Sequence, residues 1–183
     1  MSGVKCWQSI NSLFCLEFGR LRPLSCFNSE KSDRMTRAYV SKALRELVAV
    51  DAGNQCGYCQ MPQALMTQRL FMDHLLPSSR GGLTVRDNLW QSCWTCNTFK
   101  GNRTHFRDPK TERLVSLFNP RTQRWLDHFE WDATGVRLLG LTAIGRATVN
   151  ALNRNNELSV AHRVAWSQVG RFPPKTGPRE SAF

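Results

Sequence analysis

Apolar residues recur every three or four positions in the stretch that begins at Val40, and this spacing predicts a helix over about 37–51. Gly53 and Asn54 follow directly and are typical of a helix end. Residues 1–34 show no sustained period and are interrupted by Pro23, so they predict a disordered N-terminal extension. The apolar positions of the helix are Val40, Ala43, Leu44, Leu47 and Val48.

Two short apolar runs then predict a pair of strands. Residues 69–74 form the first run, which Pro77 closes, and a loop follows at 78–82 with Gly81 and Gly82 in it. Residues 89–92 predict the returning strand, and a short helix is expected from about Thr95 to Gly101. This part of the chain therefore predicts two strands followed by a helix.

The pattern changes beyond residue 112. An apolar run at 114–118 ends at Asn119-Pro120, and two further runs at 129–131 and 136–139 flank a turn, which predicts a hairpin. Thr142 is a suitable N-cap for a helix to about Leu152, and another helix is expected over about 157–169. We therefore expect an α+β protein, with a domain at 35–110, an α+β extension packed on it at 111–171, and a disordered tail at 172–183.

Charge narrows the choice of partner. The formal net charge is +11 and the pI is about 9.9, which favours a polyanion such as nucleic acid, although a solvated basic face would look the same. The sequence contains no run of roughly 18 apolar residues, so it predicts no membrane span. It also has no continuous apolar centre near the N-terminus, so it predicts no secretory signal. We therefore expect a cytoplasmic protein without a membrane partner.

Four of the seven cysteines form two C-x-x-C pairs, Cys56 with Cys59 and Cys93 with Cys96. Two such pairs in a reducing compartment predict one tetrahedral zinc site, although buried thiols or a redox motif would give the same pattern. Four thiolates leave no ligand position open, so the predicted zinc is structural. Residues 60–92 separate the pairs, so we expect the chemistry to lie in that insert and directly after it.

Around the insert stand Asp73-His74, Asn88, and Asn97 directly after the last cysteine, with Lys100 close behind. This order resembles the HNH endonuclease family, in the subgroup clamped by two C-x-x-C pairs, and the resemblance is close over residues 56–102. Asn88 follows His74 by 14 positions and Asn97 follows it by 23, similar to the spacing in that family. The last letter of the motif is Asn97 rather than histidine. The resemblance implies a ββα-metal finger.

The same residues have the chemistry that phosphodiester hydrolysis needs. His74 can be the general base, because an imidazole is largely neutral at physiological pH. Asp73 and Asn97 supply hard oxygen ligands for a catalytic Mg²⁺ or Mn²⁺. The resemblance implies that Asn88 holds the loop near His74. Lys100 is expected to contact a phosphate or the transition state, or else to be a solvated helix end.

Basic residues surround the motif and are expected to contact the nucleic-acid backbone without reading bases. They are Arg80, Arg86, Lys100, Arg103 and Arg107. Three aromatic residues, Trp90, Trp94 and Phe99, are expected to pack around the finger rather than to stack on bases. His105 has no neighbouring ligand in the sequence and is expected to be structural or solvent-facing.

The sequence therefore predicts a metal-dependent endonuclease that hydrolyses DNA. One alternative is a non-catalytic zinc module that only binds nucleic acid, which would not need Asp73, His74 and Asn97 together. Another is an RNA-cleaving effector, because attack by an external water acts on either polymer. The recognition sequence, the oligomeric state and the biological role stay open.

Overall fold

The structure is a computed structural model that describes residues 39–174, together with the backbone of three strands in the N-terminal segment. The chain divides into two compact units, Met1–Tyr39 and Val40–Phe183.

The N-terminal unit contains a three-stranded antiparallel sheet with the order β1-β2-β3. Its strands are β1 (Lys5–Ser9), β2 (Ser12–Glu17) and β3 (Arg20–Pro23). These strands depart from the prediction of a disordered extension, because short strands need no sustained helical period. Strands β1 and β2 pair antiparallel, as do β2 and β3. The rest of 1–34 lies outside the described residues.

In the second unit a helix precedes the predicted ββα segment. Helix α1 (Lys42–Asp51) begins later than predicted, because the Ser41 side chain accepts a hydrogen bond from the Leu44 N–H and caps it. Strands β4 (Phe71–His74) and β5 (Leu89–Ser92) pair antiparallel, and α2 (Trp94–Lys100) follows at once. The prediction of two strands and a helix is confirmed.

Between α2 and residue 174 the chain forms two more hairpins and three helices, and the predicted hairpin and both predicted helices are confirmed. Thr142 caps α4, as the sequence predicted, by accepting a hydrogen bond from the Gly145 N–H. The elements are β6 (His105–Arg107), β7 (Leu114–Ser116), α3 (Trp125–His128), β8 (Phe129–Trp131), β9 (Leu138–Gly140), α4 (Ala143–Ala151) and α5 (Glu157–Gln168).

The finger and the extension share one hydrophobic core. The four knuckle cysteines belong to the same buried cluster as Phe118, Phe129 and Leu152 from the extension. In addition, the Trp125 indole N–H donates to the Tyr58 carbonyl over 3.0 Å, which ties α3 to the first knuckle. Burial of the extension against the cysteines therefore stabilises both parts together.

Order continues past the predicted start of the disordered tail. Phe172 is only 4% exposed, and its ring contacts Trp131 edge-on at 4.9 Å between centroids. The prediction for 172–183 was therefore wrong at Phe172, because a single aromatic side chain can anchor a polar segment. Residues 175–183 lie outside the described residues. In the part of the chain that is described, no helix is long and apolar enough to cross a membrane.

A buried ion pair joins the β6–β7 hairpin to α4. Both oxygens of Asp108 accept hydrogen bonds from the Arg146 guanidinium at 2.8 Å, and Thr111 also donates to this carboxylate. The Arg146 guanidinium, with Thr111, holds the pKa of Asp108 far below its ordinary value of 3.8. The folded state therefore binds fewer protons here than the unfolded chain, so this stabilisation is complete above pH 3.8 and is lost as the pH falls further.

We expect Asp108→Asn to lower the melting temperature at neutral pH, because it removes the charge that Arg146 pairs with. The difference from the unchanged protein should shrink as the pH falls below about 4, where the Asp108 carboxyl of the unfolded chain begins to gain a proton while that of the folded protein stays ionised. Thermal melts across pH measure this, with the exposed Asp87→Asn as the matched control. A difference between the proteins that is constant with pH would contradict this account of the ion pair.

Candidate functional site

The two cysteine pairs converge on one point. The sulfur atoms of Cys56, Cys59, Cys93 and Cys96 all lie within 4.8 Å of one another, and Cys59 and Cys93 are 3.8 Å apart. A turn closed by the Gln60 N–H on the Cys56 carbonyl forms the first knuckle, and Cys93 caps helix α2 in the second. The predicted convergence is confirmed, and the four sulfurs are positioned for a zinc clamp.

The surroundings of the sulfurs also suit a metal–thiolate centre. Four thiolates around one Zn²⁺ leave an excess of negative charge, which is costly to bury without a cation nearby. Arg154 is buried and within electrostatic range of all four sulfurs, and its Nε and one terminal nitrogen have no hydrogen-bond partner. Arg163 is also buried and donates to the carbonyls of Arg154 and Val136. Two cations from the extension thus complement the cysteine cluster.

Asp73 lies inside the protein, with both carboxylate oxygens engaged. The Tyr58 hydroxyl donates to Oδ2 over 2.7 Å, and the Lys100 ammonium donates to Oδ1 over 2.9 Å. Lys100 also donates to the His74 carbonyl over 2.8 Å. Burial raises the pKa of Asp73, and the Lys100 ammonium opposes that shift.

His74 is the last residue of β4, so its side chain points to the opposite face from Asp73. Its Nε2 lies 3.0 Å from the Thr84 hydroxyl oxygen, and its ring is half-buried. Burial lowers the pKa of His74, so the neutral imidazole is favoured near neutral pH. When Nε2 donates its proton to Thr84, the lone pair of Nδ1 is available to accept a proton.

The Asn88 side chain fastens the loop that follows His74. Its amide nitrogen donates to the carbonyls of Leu76 and Leu83, and its amide oxygen accepts from the Leu76 N–H over 2.8 Å. At Gly82 the backbone passes so close that a Cβ would lie 1.8 Å from the Leu76 carbonyl oxygen. These bonds are those expected of a loop-holding residue, whereas a contribution to catalysis stays a prediction.

Asn97 and Lys100 lie about one turn apart on α2, and Lys100 contacts β4 through Asp73 and His74. The Asn97 side chain is partly exposed and makes no hydrogen bond within residues 39–174, so its amide oxygen is free for a ligand. Lys100 differs from both expectations for it. It is only 2% exposed and bonds to Asp73 and His74, so it is neither a solvated helix end nor a surface contact.

The arginines predicted to bind nucleic acid are exposed, but each has a partner within the protein. Arg86 forms a bidentate ion pair with Asp51, which also binds Arg121. Arg80 donates to Thr104, and Arg103 donates to the Phe99 carbonyl. The Arg107 guanidinium donates to the Glu112 carbonyl. Nucleic-acid contact by these residues stays a prediction.

The aromatic residues near the finger divide into two groups. Trp90 is buried, as predicted, and packs beside Gly57 and under the Arg121 guanidinium, 4.7 Å from the ring centre. Trp94 and Phe99 are 54% and 36% exposed, and their expected packing around the finger stays a prediction. They lie on the outer side of α2, which nothing in the described chain covers completely.

A cleft of about 440 Å³ opens between the finger and the extension. Tyr58 and Lys100 line its finger side, and Asn119 and Gln123 line its extension side. His105 also faces this cleft, and its Nδ1 lies 3.0 Å from the Thr104 hydroxyl oxygen. His105 is therefore solvent-facing, as expected, and lies apart from the four sulfurs.

Sequence reasoning missed three residues that the fold brings to these sites. Tyr58 lies within the first knuckle, where an aromatic residue carries no sign of a carboxylate partner. Thr84 lies in the loop after His74 and reads as an ordinary polar loop residue. Arg154 lies 58 positions after Cys96, and no local pattern connects it to the cysteines.

Comparison with known protein families agrees with this geometry. Residues 56–103 match the family model of the HNH endonuclease. The comparisons with curated proteins and with solved structures found no match. The matched segment is an HNH domain with a four-cysteine cluster, as the resemblance predicted, and the family implies nuclease activity on nucleic acid.

We expect Arg154→Met to weaken zinc retention by about 10- to 100-fold, the range typical when a residue that supports a metal site is changed. The physical reason is that the variant removes a buried cation beside four thiolates. Competition with a chromophoric chelator measures retention, with the exposed Arg171→Met as the matched control. Arg154→Lys keeps the charge and should retain more zinc than Arg154→Met. Equal retention by all variants would contradict the electrostatic role.

Proposed function

We propose that this chain is a metal-dependent endonuclease that hydrolyses phosphodiester bonds in DNA, with His74 as the general base. The observation that carries the proposal is the match of residues 56–103 to the HNH endonuclease model, because the matched segment contains His74, Asp73 and Asn97. In this segment the half-buried His74 imidazole is held by the Thr84 hydroxyl, and His74 directly follows the buried Asp73. A module that only binds nucleic acid does not need this arrangement.

Each residue has a separate role in the proposed reaction. His74 Nδ1 accepts a proton from a water whose oxygen attacks phosphorus, and the bond from phosphorus to the leaving oxygen breaks. Thr84 holds the imidazole through Nε2, over 3.0 Å, which leaves Nδ1 to accept the proton. Asn88 fixes the loop that carries Thr84, through its bond to the Leu83 carbonyl.

Asp73 and Asn97 are the proposed ligands of the catalytic Mg²⁺ or Mn²⁺. Carboxylate and amide oxygens are the donors these ions prefer, and the Asn97 oxygen has no other partner in the described chain. Each Asp73 oxygen accepts one hydrogen bond and keeps further lone-pair capacity. When bound, such an ion stabilises negative charge on the phosphate and on the leaving oxygen. The Lys100 ammonium favours the ionised form of Asp73, against the burial that raises the pKa of this carboxyl.

The proposed substrate is DNA, and the net charge of +11 favours binding to its backbone. Four reduced cysteines around zinc fit a reducing compartment, so we propose that the protein acts in the cytoplasm. The cysteine cluster is proposed to hold Zn²⁺ as a structural ion, with no part in the chemical step.

The direct test is incubation of the purified, zinc-loaded protein with supercoiled DNA, linear DNA and single-stranded RNA, each with Mg²⁺ or Mn²⁺. Conversion of supercoiled DNA to the nicked form is expected. Cleavage of RNA alone would replace DNA with RNA as the substrate. Binding to DNA without cleavage under any of these conditions would favour the non-catalytic zinc module.

We expect His74→Ala to slow nicking by about 10²- to 10⁴-fold, the usual contribution of a general base. DNA binding and zinc content should not change, because neither depends on the imidazole. The matched control is His162→Ala, which removes an exposed histidine on α5, outside the matched segment.

Asp73→Asn and Asn97→Ala should also slow nicking, but raised Mg²⁺ or Mn²⁺ should partly restore it, since these variants weaken metal binding. Asp73→Asn keeps the shape of the buried side chain beside Lys100. Nicking rates measured against metal concentration separate the roles of the three residues. Equal rescue of all three variants would make His74 a ligand, and undiminished cleavage by His74→Ala would move the active site elsewhere.

A further inference from the structure

A residue of the first cysteine knuckle, Tyr58, contacts the proposed active site directly. Tyr58 stands between Gly57 and Cys59, so its backbone position is set by the turn that aims the two sulfurs of this knuckle. Its hydroxyl donates to Asp73 Oδ2 over 2.7 Å, and Tyr58 is only 1% exposed. One residue therefore connects the cysteine cluster with the carboxylate.

The backbone around Tyr58 is fixed on both sides. The Gly57 N–H donates to the Gln91 carbonyl on β5 over 2.9 Å, and the Trp125 indole N–H donates to the Tyr58 carbonyl over 3.0 Å. A Cβ at Gly57 would lie 2.3 Å from the Trp90 ring, so the knuckle packs tightly on β5. With its backbone held in this way, the Tyr58 phenol has little freedom to leave Asp73.

The two donors to Asp73 do different work. Lys100 supplies a positive charge beside Asp73. Because it also donates to the His74 carbonyl, it ties the end of α2 to the end of β4. Tyr58 supplies direction, because a hydroxyl on Oδ2 and an ammonium on Oδ1 together fix the rotation of the carboxylate. Only a carboxylate held at one angle presents its remaining lone pairs to a metal ion at a constant position.

We propose that Tyr58 is a positioning residue, which holds the Asp73 carboxylate for the catalytic metal ion and thereby makes the zinc clamp part of the active-site geometry. This inference rests on the proposed function, in which Asp73 is a metal ligand. Tyr58 does not touch the substrate or the reacting atoms. Its effect passes through Asp73, as hydrogen-bonded partners of metal ligands generally act.

The test is Tyr58→Phe, which removes only the hydroxyl, measured in the full-length, zinc-loaded protein. Its matched control is Tyr39→Phe, at the only other tyrosine of the chain, which is 82% exposed. Mn²⁺ binding is measured by electron paramagnetic resonance, zinc content by a chromophoric chelator, and nicking of supercoiled DNA across Mn²⁺ concentrations. We expect about 10-fold weaker Mn²⁺ binding in Tyr58→Phe, the lower end of the usual effect of such a partner. Zinc content should be unchanged, and nicking should return to the wild-type rate at saturating Mn²⁺.

A double-variant cycle shows whether the effect passes through Asp73. Tyr58→Phe in an Asp73→Asn background should weaken Mn²⁺ binding no further, because the residue it acts through is already changed. An equal effect in both backgrounds would overturn the inference. Loss of zinc from Tyr58→Phe would also overturn it, since the hydroxyl would then serve the clamp rather than the carboxylate.

The same measurements separate the role of Tyr58 from the nuclease activity itself. Wild-type Mn²⁺ affinity in Tyr58→Phe, alongside metal-dependent nicking by the unchanged protein, overturns the role of Tyr58 and leaves the nuclease proposal intact. If the unchanged protein neither binds Mn²⁺ nor nicks DNA, the proposed function fails and the role of Tyr58 fails with it.

Discussion

Convergence of four sulfurs from two distant knuckles is the constraint on which the rest of the second unit depends. The strands between the knuckles are four residues each, too short to bury a core of their own. The cysteines therefore set where β4 and β5 lie, and the extension completes the core around them. Tyr58 and Arg154 both lie close to the four sulfurs. The cysteine cluster and the polar contacts of these two residues are therefore expected to form together.

Buried charge is balanced differently at the cysteine cluster and at Asp73. Near the sulfurs, cations come from residues far along the chain, and Arg154 keeps polar atoms without a hydrogen-bond partner. Near β4, Lys100 pairs with Asp73 at close range, and every partner belongs to the finger or its knuckle. The charge of the cysteine cluster is thus balanced by cations from the extension. The charge of Asp73 is balanced by Lys100, within the HNH domain itself.

The sequence predicted what short-range chemistry determines. The C-x-x-C spacing predicted that the four sulfurs converge, and Thr142 predicted the start of α4. The same reasoning failed where the outcome depends on tertiary contacts. Lys100 at the end of α2 was expected to be solvated, but the fold places the Asp73 carboxylate beside it. Phe172 was expected to be disordered, but its ring packs against Trp131. Thr84 is undistinguished in sequence because its role comes only from the return of the glycine loop toward His74.

The hydrogen bond from the Trp125 indole to the Tyr58 carbonyl has a consequence for how the second unit unfolds. Since α3 anchors the knuckle and Leu152 packs among the cysteines, the HNH segment and its extension form one cooperative folding unit. Backbone amides in β5 and α4 should therefore exchange with solvent deuterium through the same global opening. Removing the extension would therefore expose the apolar surface around the cysteines and destabilise the finger as well.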